Sequence, residues 1–235
     1  MTYADVNSVH REEHIMISRN WLLGASVATA AVGGMIAATA LAQDGPAPNM
    51  SFFVTSTGLG DGANLGGLGG ADAHCQALAE AVGAGDRTWR AYLSTIAMDG
   101  AEGADARDRI GEGPWFNAEG VMIANNAAEL HGNDNNVNKE TALTEAGAIV
   151  NGRGDNPNVH DILTGTRQDG TAANMTCANW TTNSDGDATF VGHHDLVGNP
   201  AGINYWNYSH QTAGCSQQSL VRTGGAGLFY CFAAD

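Results

Sequence analysis

Two periodicities divide the chain. Residues 71–82 (ADAHCQALAEAV) set Cys75, Leu78, Ala79 and Val82 at i, i+3, i+4 and i+7, with Gly83 as a stop. That spacing predicts a helix that turns Cys75 inward. Residues 89–93 (WRAYL) alternate instead, with Trp89, Ala91 and Leu93 on one face and Arg90 and Tyr92 on the other, which is the period of a strand. Residues 51–56 (SFFVTS) predict an earlier strand from their aromatic and β-branched content. Shorter apolar runs recur at 115–116, 121–123, 162–163 and 228–232, separated by loops of Asn, Asp and Gly. The pattern predicts one α+β domain rich in loops, and the 32 glycines supply the turns such a fold needs.

The upstream sequence has another character. Residues 21–42 carry no charge, follow Arg19 and end in Ala40-Leu41-Ala42, an export signature. Residues 1–15 read as an artefactual or disordered extension, and Met16 as the start of a short basic leader. Residues 16–42 then form either a signal peptide cleaved before Gln43 or an uncleaved membrane anchor, since the run is long enough to span a bilayer. Residues 43–50 follow as a linker, and 51–235 as the folded domain.

Charge and cysteine content narrow the function. A formal charge of −15 with only 10 Lys and Arg makes nucleic acid a poor partner. Cys75, Cys177, Cys215 and Cys231 form an even set without CxxC spacing. That argues for two disulfides and an oxidising compartment, periplasmic or extracellular, over a zinc knuckle or a thioredoxin-type motif.

Several segments in order resemble one family. GGLGGADAHCQALAEAVGAGDRTWRAYLST, then Asp108-Arg109-Ile110, Gly113-Pro114-Trp115-Phe116, ILTGTRQDGTAANMTCANW and the closing Leu228 to Phe232 run are similar to the endostatin-like branch of C-type-lectin-like domains. The likeness covers about residues 51–235 and is to uncharacterised bacterial secreted members more than to the animal domain. It implies an α+β fold with a small mixed sheet, two short helices, long loops and two nested bridges. Of three possible connectivities it implies Cys75 to Cys231 and Cys177 to Cys215. It further implies noncatalytic recognition of a carbohydrate, peptide or protein outside the cytoplasm. A membrane-anchored accessory subunit of a larger complex is the competing reading.

The candidate chemistry is sparse. Lectin-type calcium binding is disfavoured, because Trp206-Asn207 is followed by Tyr208 where the family has an Asp ligand. Asn183, Asp185 and Asp187 alternate oxygen ligands but lack the later bidentate Glu of a calcium loop. No cofactor is therefore expected, calcium being the one ion these residues could take. His193, His194, Asp195 and His210 are of zinc-compatible types, but their spacing gives no support and they read as surface histidines of a loop. Arg153-Gly154-Asp155 spells an integrin-type tripeptide that recurs by chance. No GxSxG elbow appears, so no enzyme is expected, and a hydrolase would need a Ser, a His and a carboxylate to converge in space. The ligand-binding candidates are Tyr205, Trp206, Asn207 and Tyr208, in a polar loop where at least one flat ring is expected to be exposed.

Overall fold

A computed structural model describes residues 45–199 and 205–235. The expected extension and leader, 1–15 and 16–42, lie outside the described residues. Among the described residues no helix is long and apolar enough to cross a membrane.

The architecture is mixed α+β. Its centre is β8 (Gly225–Ala233), the longest strand. β8 is flanked by β1 (Phe52–Val54) on one side and by β2 (Trp89–Ala91) and β5 (Asp161–Leu163) on the other. β1 and β2 run antiparallel to it and β5 parallel. The sheet continues from β5 through β6 (Phe190–His193) to β7 (His210–Gln211), both pairings antiparallel. β3 (Trp115–Phe116) and β4 (Met122–Ala124) form a separate hairpin-like pair.

Alternation along β8 builds two cores. Phe229, Cys231 and Ala233 face one side, with Phe53, Trp89 and helix α1 (Gly67–Ala81). Leu228, Tyr230 and Phe232 face the other, with Phe52, Tyr92, Trp115 and Trp206. A strand buried on both faces reads as a continuous apolar run, and the 228–232 run is that kind of strand. The predicted helix at 71–82 begins four residues earlier, at Gly67. The expected linker is partly domain: Ala47 donates its amide to Ala118 and Met50 is buried in the core.

The helical content exceeds two short helices. α2 (Ala127–Leu130) is one turn capped by Asn126, whose side chain accepts from Glu129 N, and α4 (Gln217–Thr223) is capped in the same way by Ser216. α3 (Cys177–Trp180) is a left-handed turn, its four residues having φ of 50°, 49°, 56° and 68°. Non-glycine residues in this region cost roughly 1–2 kcal/mol each, so the surroundings must hold the turn. Trp180 Nε1 donates to Ser94 O at 2.8 Å, and the Asn179 amide both accepts from Ile96 N and donates to Ile96 O.

Disulfides join Cys75 to Cys231 and Cys177 to Cys215, at sequence separations of 156 and 38. Chain-entropy reasoning assigns them about 5 and about 4 kcal/mol as upper values. The first ties α1 to β8, and the second anchors the left-handed turn. Two disulfides require an oxidising environment, which fits an extracytoplasmic location.

Candidate metal centre

The sheet's far end brings histidines together that are distant in sequence. β5 opens with Asp161, whose cross-strand partner on β6 is His193. His210 on β7 pairs with Val191. Residues two apart share a face, so His193 and His210 lie on the same side. His160, just before β5, stacks on His193 with ring centroids 4.1 Å apart. Between Val191 and His193 the strand must be glycine, because the neighbouring segment crosses it so closely that a Cβ at Gly192 would stand 1.9 Å from Trp206 O.

Asp161 Oδ1 is the point of convergence. It lies 3.2 Å from His160 Nε2, 3.2 Å from His193 Nε2 and 3.5 Å from His210 Nε2. Ligand atoms of a tetrahedral centre with bonds of 2.0–2.1 Å stand about 3.3–3.4 Å apart, which these separations bracket. One ligand atom each from His160, Asp161 and His193 lie within 4.8 Å of one another, and all three residues are buried. The His210 side chain is 41% exposed and approaches from the rim.

The outer nitrogens fix which atoms hold protons. His193 Nδ1 is 2.9 Å from Val197 O, a carbonyl that can only accept, so Nδ1 carries the hydrogen. His210 Nδ1 makes the same contact with Gln211 O at 3.0 Å. His160 Nδ1 faces Asp195 Oδ1 at 3.2 Å. Burial would raise the Asp195 carboxyl, but hydrogen bonds from His160 and from the amides of Arg153 and Val197 hold it well below the usual range. Asp195 is therefore an ionised acceptor, and the carboxylate–histidine pair is the arrangement that orients a metal-ligating imidazole.

In each neutral ring Nε2 then carries a lone pair, and three such lone pairs face one carboxylate oxygen. A cation must stand between them. Protons are one answer: against burial, which pushes it up, protonated rings would hold Asp161 down at about 2. The geometry disfavours this answer. Among the described residues Asp161 Oδ1, Asp161 Oδ2 and His193 Nε2 are buried and meet no full hydrogen-bond geometry, although His193 and His210 stand close enough to hold the carboxyl down. Buried polar atoms left without partners are costly. A metal ion would engage the His160 and His193 Nε2 atoms and Asp161 Oδ1 together, with His210 standing at the rim.

A second arrangement at the same place looks hydrolytic. Ser209 Oγ lies 3.2 Å from His193 Nδ1, and Asp161 lies on the ring's other side. A Ser, a His and a carboxylate thus do converge. Nδ1 nevertheless donates to Val197 O, so it has no lone pair with which to take the serine proton, and general-base activation of Ser209 is not available in this tautomer.

The other candidates take different places. Of the four ligand-binding candidates, Trp206 and Asn207 are buried, so neither supplies the exposed ring expected of that segment. Trp206 packs 4.7 Å from the rings of both Tyr92 and Tyr230 and donates to Leu130 O. Asn207 donates to Tyr92 Oη and Arg167 O, while its own carbonyl accepts from Thr164 and Thr166. An aromatic-rich segment running against the sheet becomes core, whatever the polarity of its neighbours. Tyr205 and Tyr208 are half-buried, Tyr208 stacking on Phe190, so none of the four is an exposed platform.

The calcium-like loop is spent on bracing. Asp185 accepts from Ser216 N, Asp187 from Ala178 N and Ala188 N, and Asn183 donates to Asp61. The Asp155 of the Arg-Gly-Asp tripeptide accepts from Lys139 and Gly152 N.

The reading of His193, His194, Asp195 and His210 as surface histidines of a loop is corrected: His193 lies on β6, and His210 lies on β7 with a side chain that is 41% exposed. His193 and His194 are buried, and Asp195 supports His160 rather than facing the centre. His160 and Asp161 are the members that sequence reasoning missed. Their signal was a His-Asp pair set directly before the apolar Ile162-Leu163, where the first residues of a buried strand are polar. A scan of the chain against protein-family models finds no match, and a search of curated proteins finds none.

Proposed function

We propose that this chain is an exported, noncatalytic domain of C-type-lectin-like, endostatin-like build that binds one zinc ion through His160, Asp161 and His193, with His210 at the rim. The observation that carries the reading is the convergence of the buried His160 and His193 Nε2 atoms on Asp161 Oδ1, each at 3.2 Å, while their Nδ1 atoms face acceptors and His210 Nε2 stands 3.5 Å away at the rim. Zinc suits a nitrogen- and oxygen-ligated tetrahedron. Being redox-inert, it also persists in the oxidising surroundings that two disulfides require. The order of motifs, the mixed sheet and the nested bridges support the endostatin-like assignment. Recognition by such a domain would run through the metal and the cavity above it, since the aromatic segment at 205–208 is packed inward.

Calorimetric titration of chelator-treated protein with zinc tests the proposal. One zinc per chain is expected, and binding should be lost in His160→Ala and His193→Ala variants that keep both disulfides. Absence of stoichiometric binding in the folded wild type would overturn it.

A further inference from the structure

Above the cluster lies a cavity of about 440 Å³ lined by Arg153, Asn158, His160, His193, Gly198, Ser209, His210 and Thr223. None of these eight residues is acidic, in a chain that has 25 Asp and Glu against 10 Lys and Arg. The two nearby carboxylates are sealed beneath, the Asp161 and Asp195 side chains each being 1% exposed. Arg153 reaches the cavity by lying over Gly198, so closely that a Cβ there would stand 2.9 Å from Nη1. Among the described residues its guanidinium has no carboxylate and no hydrogen-bond acceptor, although its backbone amide donates to Asp195. Arg87 pairs with Asp235, and Arg90 and Arg109 with Asp72, whereas Arg222, like Arg153, has no carboxylate partner among the described residues.

Resting on the zinc reading above, we propose that the metal's outward coordination position takes an anionic oxygen ligand, a carboxylate or phosphate group, which Arg153 clamps from the cavity mouth. The charges favour it. A dication bound by two neutral imidazoles and one carboxylate keeps a positive excess, and the free guanidinium adds another beside it. Arginine's planar fork matches a carboxylate or phosphate through two parallel N–H bonds. Asn158, on the same wall, offers an amide Nδ2 whose hydrogens are not spent on any other described residue. Three buried ligands leaving one vertex toward a cavity is the arrangement of an open zinc site.

Cobalt-substituted protein tests this, because the absorption of a tetrahedral cobalt centre responds to exchange of its fourth ligand. Full-length protein saturated with cobalt is titrated separately with inorganic phosphate and with acetate. Saturable spectral change is expected with at least one of them, and the tighter of the two identifies the ligand type. In Arg153→Gln, also saturated with cobalt, about tenfold more of that anion should be needed. Arg90→Gln, which removes the same charge elsewhere, should match the wild type. A cobalt spectrum that neither anion changes, or equal anion affinity in the Arg153 and Arg90 variants, would overturn the anion proposal while leaving metal binding intact. Failure to bind cobalt at all would instead refute the underlying metal reading.

Discussion

Replacing Asp161 by asparagine should change stability in opposite directions with and without zinc. The substitution keeps the shape and removes the negative charge. In metal-free protein, the wild-type side chain buries two oxygens that meet no full hydrogen-bond geometry among the described residues, opposite a His193 Nε2 in the same position. The amide introduced by Asp161→Asn would present an N–H to one of those lone pairs. Relieving buried unsatisfied groups is worth about 1–3 kcal/mol, so D161N should melt above the wild type in chelator. Zinc at about a thousandfold over its dissociation constant stabilises the wild type by about 4.1 kcal/mol. D161N, deprived of the anionic ligand, should gain little, and the order should reverse, with the wild type about 1–3 kcal/mol ahead. For a domain of this size each kcal/mol moves the melting temperature by roughly 2–4 °C, so calorimetry or fluorescence melts resolve both signs. A buried ion network of protonated histidines would behave otherwise. Removing the carboxylate would then leave uncompensated charge and cost about 3–5 kcal/mol, zinc or no zinc. A variant less stable than wild type under both conditions would refute the metal assignment.

Trp206→Ala should cost about 3–5 kcal/mol, as truncation of a fully buried indole does, and denaturant melts would register it; a fully stable variant that had lost only ligand binding would restore residues 205–208 as a platform. Ala178→Gly, inside the left-handed turn, should stabilise by about 1 kcal/mol, read as a raised denaturant midpoint, whereas the same change in a right-handed helix would destabilise. Calcium-selective chelation should leave the melting temperature unmoved, because the oxygens of Asp185 and Asp187 are occupied by Ser216, Ala178 and Ala188 amides. Burial first, with a smaller push from Arg107, lowers the affinity of His131 for a proton. Its contribution is therefore present above the unfolded value near pH 6.5 and lost as pH falls below it. A melting series from pH 7 to 5 should decline less steeply in His131→Gln than in wild type, and equal slopes would contradict this.

Much of the scaffold was legible because its signals are local. The helix around Cys75 and the alternation at 89–93 carry their own periods, and Arg90 and Tyr92 do part from Trp89, Ala91 and Leu93 as the alternation requires. The centre was harder to see. His160 and Asp161 approach His193 and His210 through strand pairing across gaps of 30 residues or more, and no spacing rule spans that. β6 (Phe190–His193) and β7 (His210–Gln211) are four and two residues long, too short to carry a period of their own. At 205–208 the sequence reads as surface, whereas Trp206 is packed in the core and the polar atoms of Asn207 are satisfied internally by Thr164, Thr166 and Tyr92.

The position of β8 bears on how the protein comes to exist. The strand that joins β1, β2 and β5 is the latest in sequence among the elements described, and it also carries Cys231, the partner of Cys75. Until residues 225–233 have emerged, β1 and β2 lack the strand that joins them, and the first half of the domain can hold little beyond local turns, α1 and the β3–β4 pair. Assembly of the sheet must therefore wait for β8, as long-range pairings generally make folding wait. Such a chain would cross a membrane in the unfolded state without a folded domain jamming its passage. The oxidation that closes Cys75 to Cys231 would mark completion, so pulse-labelled protein should acquire protease resistance and this bridge together.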